Sequence, residues 1–202
     1  MQIENHKEEV PFAHYAEQFA ALDPIEAAKR TGVPFDGAAF TVRLLGTDYR
    51  VAYPDAAVTA PDGATPPLPL QTFLLRLLLL GKSAPADNDF KTFRELPWGE
   101  VYIQPFTGRV LTRAAFTFGT RIDAFRAAAE RLGGIALKHG DAGYEFTLFD
   151  NYRLRLLVWE GDDEFPPNAQ LLYTANFAGG FAAEDRVVAG DLLISALKAA
   201  ME

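Results

Sequence analysis

The chain has 202 residues, 49% of them hydrophobic, a formal net charge of −8 at pH 7 and no cysteine. This length allows one domain or two very small ones with a core that needs no disulfides, and the missing cysteine excludes thiolate nucleophiles, Cys-ligated zinc and iron–sulfur clusters bound by this chain's own residues. The acidic balance makes nucleic acid an unfavourable partner, because phosphate backbones bind basic surfaces.

Two helices are predicted at the start of the chain, and we assign residues 1–22 to an N-terminal helical extension. Apolar side chains recur there at steps of three and four residues: Phe12, Tyr15, Phe19 and Leu22. A second helix begins after Asp23, since Asp accepts the free N–H groups of a first turn and Pro24 suits the first helical position; Gly32 ends it. Met1–Val10 lacks the basic start and apolar run of a secretory signal, so we expect a cytoplasmic protein.

A β-hairpin is predicted over residues 40–53, because apolar residues alternate with smaller or polar ones on either side of Gly46-Thr47-Asp48. Five prolines lie between residues 54 and 69, which predicts a surface connection with at most a short strand near Val58. The Leu68–Leu80 run predicts a buried helix, since it is shorter than the ~20 residues of a membrane span. We therefore expect no membrane partner.

The second half of the chain predicts a helix, a group of strands and a final helix. Gly81–Asp89 is a polar segment that suits a loop tip or a domain seam, and we favour the loop. A helix begins at a cap formed by Thr120 and ends at Gly133-Gly134. Four β-rich runs then predict an antiparallel meander: Ile135–Lys138, Tyr144–Phe149, Leu154–Trp159 and Gln170–Thr174. With a last helix at Ala183–Met201, the fold class is α+β: one domain over residues 23–202, with an N-terminal hairpin, several helices and a C-terminal meander closed by a helix.

The segment Trp159–Pro167 concentrates charged side chains between two predicted strands. Its carboxylates, together with Trp159, are candidate ligand-binding residues: Glu160, Asp162, Asp163 and Glu164. Carboxylates bind hard divalent cations or cationic partners, and Asp162 and Glu164 are the candidate metal ligands. The spacing differs from that of an EF-hand loop, and acidic residues with Gly and Pro are also typical of a solvated structural turn, which we favour.

Arg94 and Arg109 are further candidate ligand-binding residues. A planar guanidinium binds a carboxylate or a phosphate with two hydrogen bonds, and it also forms ion pairs with an acidic loop. Ion pairs that serve only the fold are the favoured alternative. Other chemistries have little support, because Gly81-Lys82-Ser83 lacks the first glycine of a P-loop and the three histidines lack metal-ligand spacing. No cofactor is predicted.

Five segments carry a resemblance to a known family: Phe93–Pro97, Leu132–Gly134, Gly140–Tyr144, Trp159–Pro166 and Ala183–Asp185. With them the chain resembles a family from anaerobic bacteria and archaea that is catalogued as domain of unknown function 3786. The resemblance extends from Asp23 to the last helix, and Trp159–Pro166 is its most specific part.

The resemblance implies no activity. Some relatives carry an added cysteine-rich iron–sulfur segment like that of corrinoid proteins in one-carbon metabolism, and this chain has none of those cysteines. The family tends to have an aspartate where Thr174 stands. If that aspartate joins the acidic loop in a site, the resemblance implies that the site is altered or absent in this protein.

The leading hypothesis is a cytoplasmic accessory or ligand-binding protein without its own cofactor, whose partner is a small ligand or a protein. Its site would join Arg94 and Arg109 to the acidic loop at residues 160–164. The first alternative is a metal-dependent hydrolytic enzyme that uses the same loop. The second is a structural or self-association module, indicated by an excess of aromatic residues: Phe116, Phe118, Phe177 and Phe181.

Overall fold

A computed structural model describes residues 6–202 of the protein, which form two compact units that meet in sequence after Ala84. This boundary lies in Gly81–Asp89, the polar segment whose composition allows a loop tip or a domain seam. The assignment of residues 23–202 to one domain stays a prediction, as does the separate N-terminal extension. Residues 1–5 of that extension lie outside the described residues.

The first unit combines helices with a small antiparallel sheet. Its helices are α1 (His6–Ala20), α2 (Pro24–Thr31) and α3 (Leu68–Leu80), and its strands are β1 (Ala39–Leu44), β2 (Thr47–Ala52) and β3 (Val58–Thr59), in the order β1-β2-β3. Asp23 caps α2 as predicted, because its Oδ1 accepts the N–H groups of Ile25 at 2.9 Å and Glu26 at 3.1 Å. Gly32 ends this helix in the left-handed conformation, with φ of 74°. The predicted buried helix and the short strand near Val58 are confirmed.

The predicted hairpin is confirmed, but its turn lies one residue earlier than predicted. Leu45 and Gly46 form the turn with φ of 47° and 79°, and Thr47 already pairs with Leu44. Two successive positive φ values match the right-handed twist of the strands, which is why a two-residue turn suffices here. Phe40 and Val51 form a buried cross-strand pair, and Val51 also pairs with the buried Val58 of β3.

Asp36 organises the approach to β1 through three hydrogen bonds. Its Oδ1 accepts the N–H groups of Ala38 at 2.9 Å and Ala39 at 2.8 Å, and its Oδ2 accepts a hydrogen bond from Arg50 Nη1 at 2.8 Å. The two backbone N–H groups, and then the Arg50 guanidinium, lower the pKa of Asp36 from 3.8 to about 2. Because the pKa is lowered in the folded state, this carboxylate stabilises the fold above pH ~4, and the contribution is lost as the pH falls through about 2.

We expect the Asp36 carboxyl group to titrate with a midpoint of about 2 in the folded protein, measured by NMR of its side-chain carbon. Arg50→Gln should raise this midpoint only part of the way towards 3.8, because the backbone N–H groups that are the larger cause remain. A midpoint near 3.8 in the folded wild-type protein would contradict the two backbone hydrogen bonds.

The second unit is built on a five-stranded antiparallel sheet with the order β4-β8-β7-β6-β5. Its strands are β4 (Phe90–Thr92), β5 (Ile135–Leu137), β6 (Ala142–Phe149), β7 (Tyr152–Trp159) and β8 (Asn168–Thr174). The predicted meander is confirmed as β5 to β8. Strand β4 was not predicted, because three half-buried residues show no alternation; it forms by pairing with the free edge of β8.

The helices of the second unit begin with one long helical segment that the sequence did not predict. After a 3₁₀ turn at Phe93–Glu95 the helices are α4 (Gly99–Phe106), α5 (Arg113–Phe118), α6 (Ile122–Arg131), α7 (Phe177–Gly180) and α8 (Ala183–Ala200), and a π-helical segment, Thr107–Thr112, joins α4 to α5. Gly99, Pro105 and Gly108 lower the helix propensity of this stretch, and tertiary packing overrides them. The helix α6 is confirmed, but its predicted cap is wrong, because the Thr120 hydroxyl donates to the Phe116 carbonyl instead.

The two faces of the five-stranded sheet differ in character. The face towards the helices carries buried apolar and aromatic residues: Tyr144, Phe146, Leu154, Leu156, Leu171 and Tyr173. Phe125 of α6 meets Tyr144 edge-on at 5.7 Å between ring centroids, and Phe106 of α4 lies 6.2 Å from Tyr173. The opposite face carries Glu145 between two arginines of β7. The chain is therefore an α+β protein, and no helix among residues 6–202 is long and apolar enough to cross a membrane.

The aromatic residues that suggested self-association lie mostly in the core. Phe118 and Phe177 are fully buried and Phe181 is 7% exposed, so these three rings pack inside the second unit. Only Phe116 of that group is exposed, at 58%. The argument for a self-association module from this group is therefore wrong for three of its four members, because periodicity cannot tell a buried aromatic from an exposed one.

Candidate functional site

The acidic loop connects β7 to β8 and is organised by Asp162. The Oδ1 atom of Asp162 accepts the N–H groups of Glu164 at 2.8 Å and Phe165 at 2.7 Å, and its own N–H donates to the Phe165 carbonyl at 2.9 Å. These three bonds close a local turn in which the Asp162 carboxylate replaces a backbone acceptor. This geometry favours the structural turn over a ligand site.

The other carboxylates of the acidic loop point to the same interpretation. Glu160, Asp163 and Glu164 are exposed, and Trp159 is half-buried at the end of β7. Among residues 6–202 no group of three or more His, Asp or Glu side chains is placed to hold one metal ion. The described part of the chain thus offers no ligand set from which the metal-dependent alternative can be argued. Sequence reasoning also missed Asp141, whose Oδ2 accepts the Glu160 N–H at 2.8 Å at the start of the loop.

Arg94 and Arg109 each pair with a carboxylate outside the acidic loop. Arg94 Nε lies 3.3 Å from Glu100 Oε1, and both side chains are well exposed. Arg109 Nη2 lies 3.0 Å from Asp191 Oδ2, on α8. Within residues 6–202 no ion pair links either arginine to residues 160–164. The predicted site that joins these arginines to the loop therefore has no ion pair to hold it together.

Thr174 lies at the opposite end of β8 from the acidic loop. The strand length places the two ends of β8 about 20 Å apart. The buried Thr174 hydroxyl accepts the Arg153 N–H at 3.0 Å and donates to Asn176 Oδ1 at 2.7 Å. An aspartate at position 174 would be too far from the acidic loop to join it in one site. The presence of Thr174 instead of aspartate therefore does not alter a site at that loop.

Arg109 belongs to a group of four polar side chains on the helices, which we call the Asp191 cluster: Arg109, Arg113, Asp191 and Ser195. Arg109 Nη2 donates to Asp191 Oδ2 at 3.0 Å, and Arg113 Nη1 donates to Asp191 Oδ1. Arg113 Nη2 donates to the Ser195 hydroxyl at 3.0 Å, and that hydroxyl donates to the Asp191 carbonyl at 2.8 Å. One carboxylate is thus shared by two guanidinium groups.

The Asp191 cluster carries more positive than negative charge at a partly exposed position. The side chains of Arg109, Arg113 and Asp191 are 53%, 35% and 26% exposed. Arg109 projects from the π-helical segment, a distortion that is frequent at functional sites. Sequence reasoning identified Arg109 but missed Asp191, because it lies 82 residues away in the chain. The four-residue spacing of Asp191 and Ser195 was the available signal.

A second cationic group, Arg186 of α8, is buried to 1% exposure. Its Nη2 donates to the Pro97 carbonyl, while its Nε and Nη1 atoms are buried without a hydrogen-bond partner. Its guanidinium carbon lies 5.7 Å from the centroid of the Phe93 ring. Burial lowers the pKa of Arg186. No sequence pattern indicated this residue, since a lone arginine in an amphipathic helix is normally on the solvent side.

A family model described as Domain of unknown function (DUF3786) matches residues 23–196, which is most of the chain. No curated protein and no solved structure matches significantly. The segments that resemble this family, including the Phe93–Pro97 turn and the acidic loop, lie within the matched range.

Proposed function

The chain belongs to this family of unknown function, and from its own geometry we propose that it binds a small anion with a carboxylate or phosphate group at the Asp191 cluster. The single observation that supports this proposal is the unequal pairing of charges. Arg109 and Arg113 share one carboxylate, at 3.0 Å for Arg109 Nη2, so one positive charge has no counter-charge within the cluster. The protein as a whole has a net charge of −8, so the excess of positive charge in the Asp191 cluster is opposite in sign to the net charge of the chain.

The chemistry of the cluster fits an oxyanion. A guanidinium has five N–H donors, and each arginine uses only part of them on Asp191 and Ser195. The remaining donors are available for the paired oxygens of a carboxylate or phosphate, and half-exposed arginines lose less hydration when they bind than fully exposed ones. The proposal includes the cytoplasmic accessory role without a cofactor that the sequence predicts.

The proposal predicts that Arg109→Gln and Arg113→Gln each weaken anion binding about tenfold or more, because each removes a charge-assisted donor pair. The measurement is calorimetric titration at low ionic strength with inorganic phosphate and, separately, with citrate. Arg43→Gln is the matched control, since Arg43 is an exposed arginine that pairs with a single carboxylate, Asp48, at 3.1 Å. We expect this control to bind both anions as the wild type does.

The two anions distinguish the class of ligand. Binding of phosphate alone identifies a phosphate site, and binding of citrate alone identifies a carboxylate site. If neither anion binds to the wild-type protein, or if the Arg109 and Arg113 variants bind as tightly as the Arg43 control, the cluster is a structural ion-pair network and the proposed function fails.

A further inference from the structure

The guanidinium of Arg186 contains the only buried side-chain nitrogens without a hydrogen-bond partner among the described residues. Its Nε and Nη1 atoms carry three N–H donors that have neither a protein acceptor nor access to solvent. Such a group is costly, because buried polar groups are normally hydrogen-bonded and buried charges are normally paired. The neighbouring Asp185 favours the charged form of Arg186 through its charge, but it supplies no acceptor to these two nitrogens.

The Arg186 guanidinium also lies close to the first residues of α4. Arg186 Nη2 donates to the carbonyl of Pro97, two residues before Gly99, the first residue of α4. The guanidinium therefore lies beside the N-terminus of α4, where the helix dipole favours negative charge. The N–H groups of Gly99 and Val101 donate to the Leu96 and Trp98 carbonyls, so the guanidinium donors are the ones that lack acceptors. The residue at the cap position, Trp98, supplies no side-chain acceptor to this terminus.

The turn in front of α4, Phe93–Gly99, has features of an element that moves; we call it the Trp98 turn. Trp98 has φ of 63°, a left-handed conformation that is strained for a bulky residue, and its side chain is 74% exposed. Besides the bond from Arg186 to Pro97, backbone hydrogen bonds from Leu96 to Phe93 and from Gly99 to Leu96 hold the turn. Glu95 Oε2 also accepts the Thr92 N–H at 2.7 Å. Phe93, Leu96 and Gly99 anchor the turn in the core, whereas Pro97 and Trp98 are exposed. Displacement of this exposed part would open a path to Arg186.

We infer that Arg186 and the N-terminus of α4 form a second anion site beneath the Trp98 turn, which takes a phosphate or carboxylate group. The anion enters when the turn moves outward, and its oxygens accept the N–H donors of Arg186 Nε and Nη1. This site is separate from the Asp191 cluster, because it uses neither Arg109 nor Arg113. A bound anion would supply the Nε and Nη1 donors of Arg186 with the acceptors that the described residues do not provide.

The test uses the full chain with Arg109→Gln and Arg113→Gln, so that anion binding at the Asp191 cluster cannot contribute. Trp159→Phe is added, because Trp98 and Trp159 are the two tryptophans of the chain and Trp98 then reports alone. Inorganic phosphate and acetate are titrated up to ~50 mM against sodium chloride of equal ionic strength, a range that detects a millimolar Kd. The readouts are Trp98 fluorescence and the thermal midpoint.

We expect phosphate, acetate or both to change the Trp98 emission and to raise the thermal midpoint, with no such change in sodium chloride. Arg186→Met in the same background should abolish the response, because it removes the N–H donors that the anion would bind. If that variant does not fold, Arg186→Lys replaces it, because lysine keeps the positive charge but lacks the planar set of guanidinium donors. The anion affinity of this variant should fall at least tenfold.

Two results would overturn the inference. The first is a background protein that responds to neither anion beyond the sodium chloride control, which would mean that the free N–H groups bind water only. The second is an Arg186→Lys or Arg186→Met variant that responds as the background does. Neither result depends on the Asp191 cluster, so this inference and the proposed function can fail separately.

Discussion

Gly99→Ala is expected to lower the free energy of unfolding by about 3 kcal/mol. A Cβ atom on Gly99 would lie 2.0 Å from the Phe93 carbonyl oxygen and 2.9 Å from Arg94 Cα. Both are backbone atoms, so the Trp98 turn itself would have to shift, and the bond from Arg186 to Pro97 would break with it. Denaturant unfolding followed by circular dichroism measures the change.

Gly108→Ala is the matched control for this substitution. Gly108 belongs to the same helical segment, but a Cβ there would meet nothing within 4 Å. Because alanine restricts the unfolded chain and has the higher helix propensity, we expect this variant to be more stable than the wild type by about 0.5–1 kcal/mol. If the two substitutions lowered the free energy of unfolding equally, the close approach of Gly99 to Phe93 would not be the reason that alanine destabilises position 99.

Glu145→Gln is expected to lower the free energy of unfolding by about 2–4 kcal/mol, because it leaves two arginines without their shared carboxylate. Glu145 Oε1 accepts Arg153 Nη1 at 2.7 Å and its Oε2 accepts Arg155 Nε at 2.8 Å, with the Glu145 side chain only 9% exposed. The arginine side chains keep 24% and 32% exposure, which places the loss below that of a fully buried pair. Phe90 restricts the movement of the Arg155 side chain into solvent, since its ring centroid lies 3.7 Å from the Arg155 guanidinium carbon.

Asp48→Asn provides the comparison for Glu145→Gln. Asp48 pairs with Arg43 at 3.1 Å, but the two side chains are 49% and 68% exposed. An exposed pair contributes little, so we expect a change within about 0.5 kcal/mol. Denaturant unfolding of both variants under the same buffer conditions makes the comparison. If Glu145→Gln costs no more than Asp48→Asn, the burial of Glu145 does not strengthen its two ion pairs.

Much of the fold follows from short-range patterns in the sequence. Asp23 and Gly32 delimit α2 by hydrogen bonds within a few residues of each end, and these ends are where the sequence places them. The β-hairpin and the meander follow from alternation of apolar residues along each strand. Such signals are readable because the groups that interact are neighbours in the chain.

Short-range sequence patterns do not predict the helical segment from Gly99 to Phe118. Its glycines and proline lower its helix propensity, and it forms because its apolar side lies on β8 and on α8. Phe106, for example, stacks on Phe93 at 4.1 Å between ring centroids and is 2% exposed. Packing of this kind outweighs weak local propensity, and the strand β8 and the helix α8 that it involves lie far from this segment in the sequence.

In the candidate site, too, the sequence predicts the local turn but not the contacts between distant residues. From its turn residues the sequence indicates a structural turn in the acidic loop, and the Asp162 hydrogen bonds within the loop favour that interpretation. From the guanidinium the sequence indicates Arg109 as a candidate ligand of an anion or of the acidic loop, with a structural ion pair as the favoured alternative, but it does not identify Asp191 as the partner. Asp191 is 82 residues away, and only the packing of α8 against the π-helical segment brings it to Arg109.

By itself, then, the sequence determines the α+β class, the hairpin, the meander and the local turn at Asp162, because each depends on interactions between near neighbours in the chain. Only the tertiary structure decides that Arg109 and Arg113 share Asp191 and that Arg186 is buried behind the Trp98 turn. The physical reason is that a charge is defined as paired, unpaired or desolvated by groups that the fold brings together from distant parts of the chain.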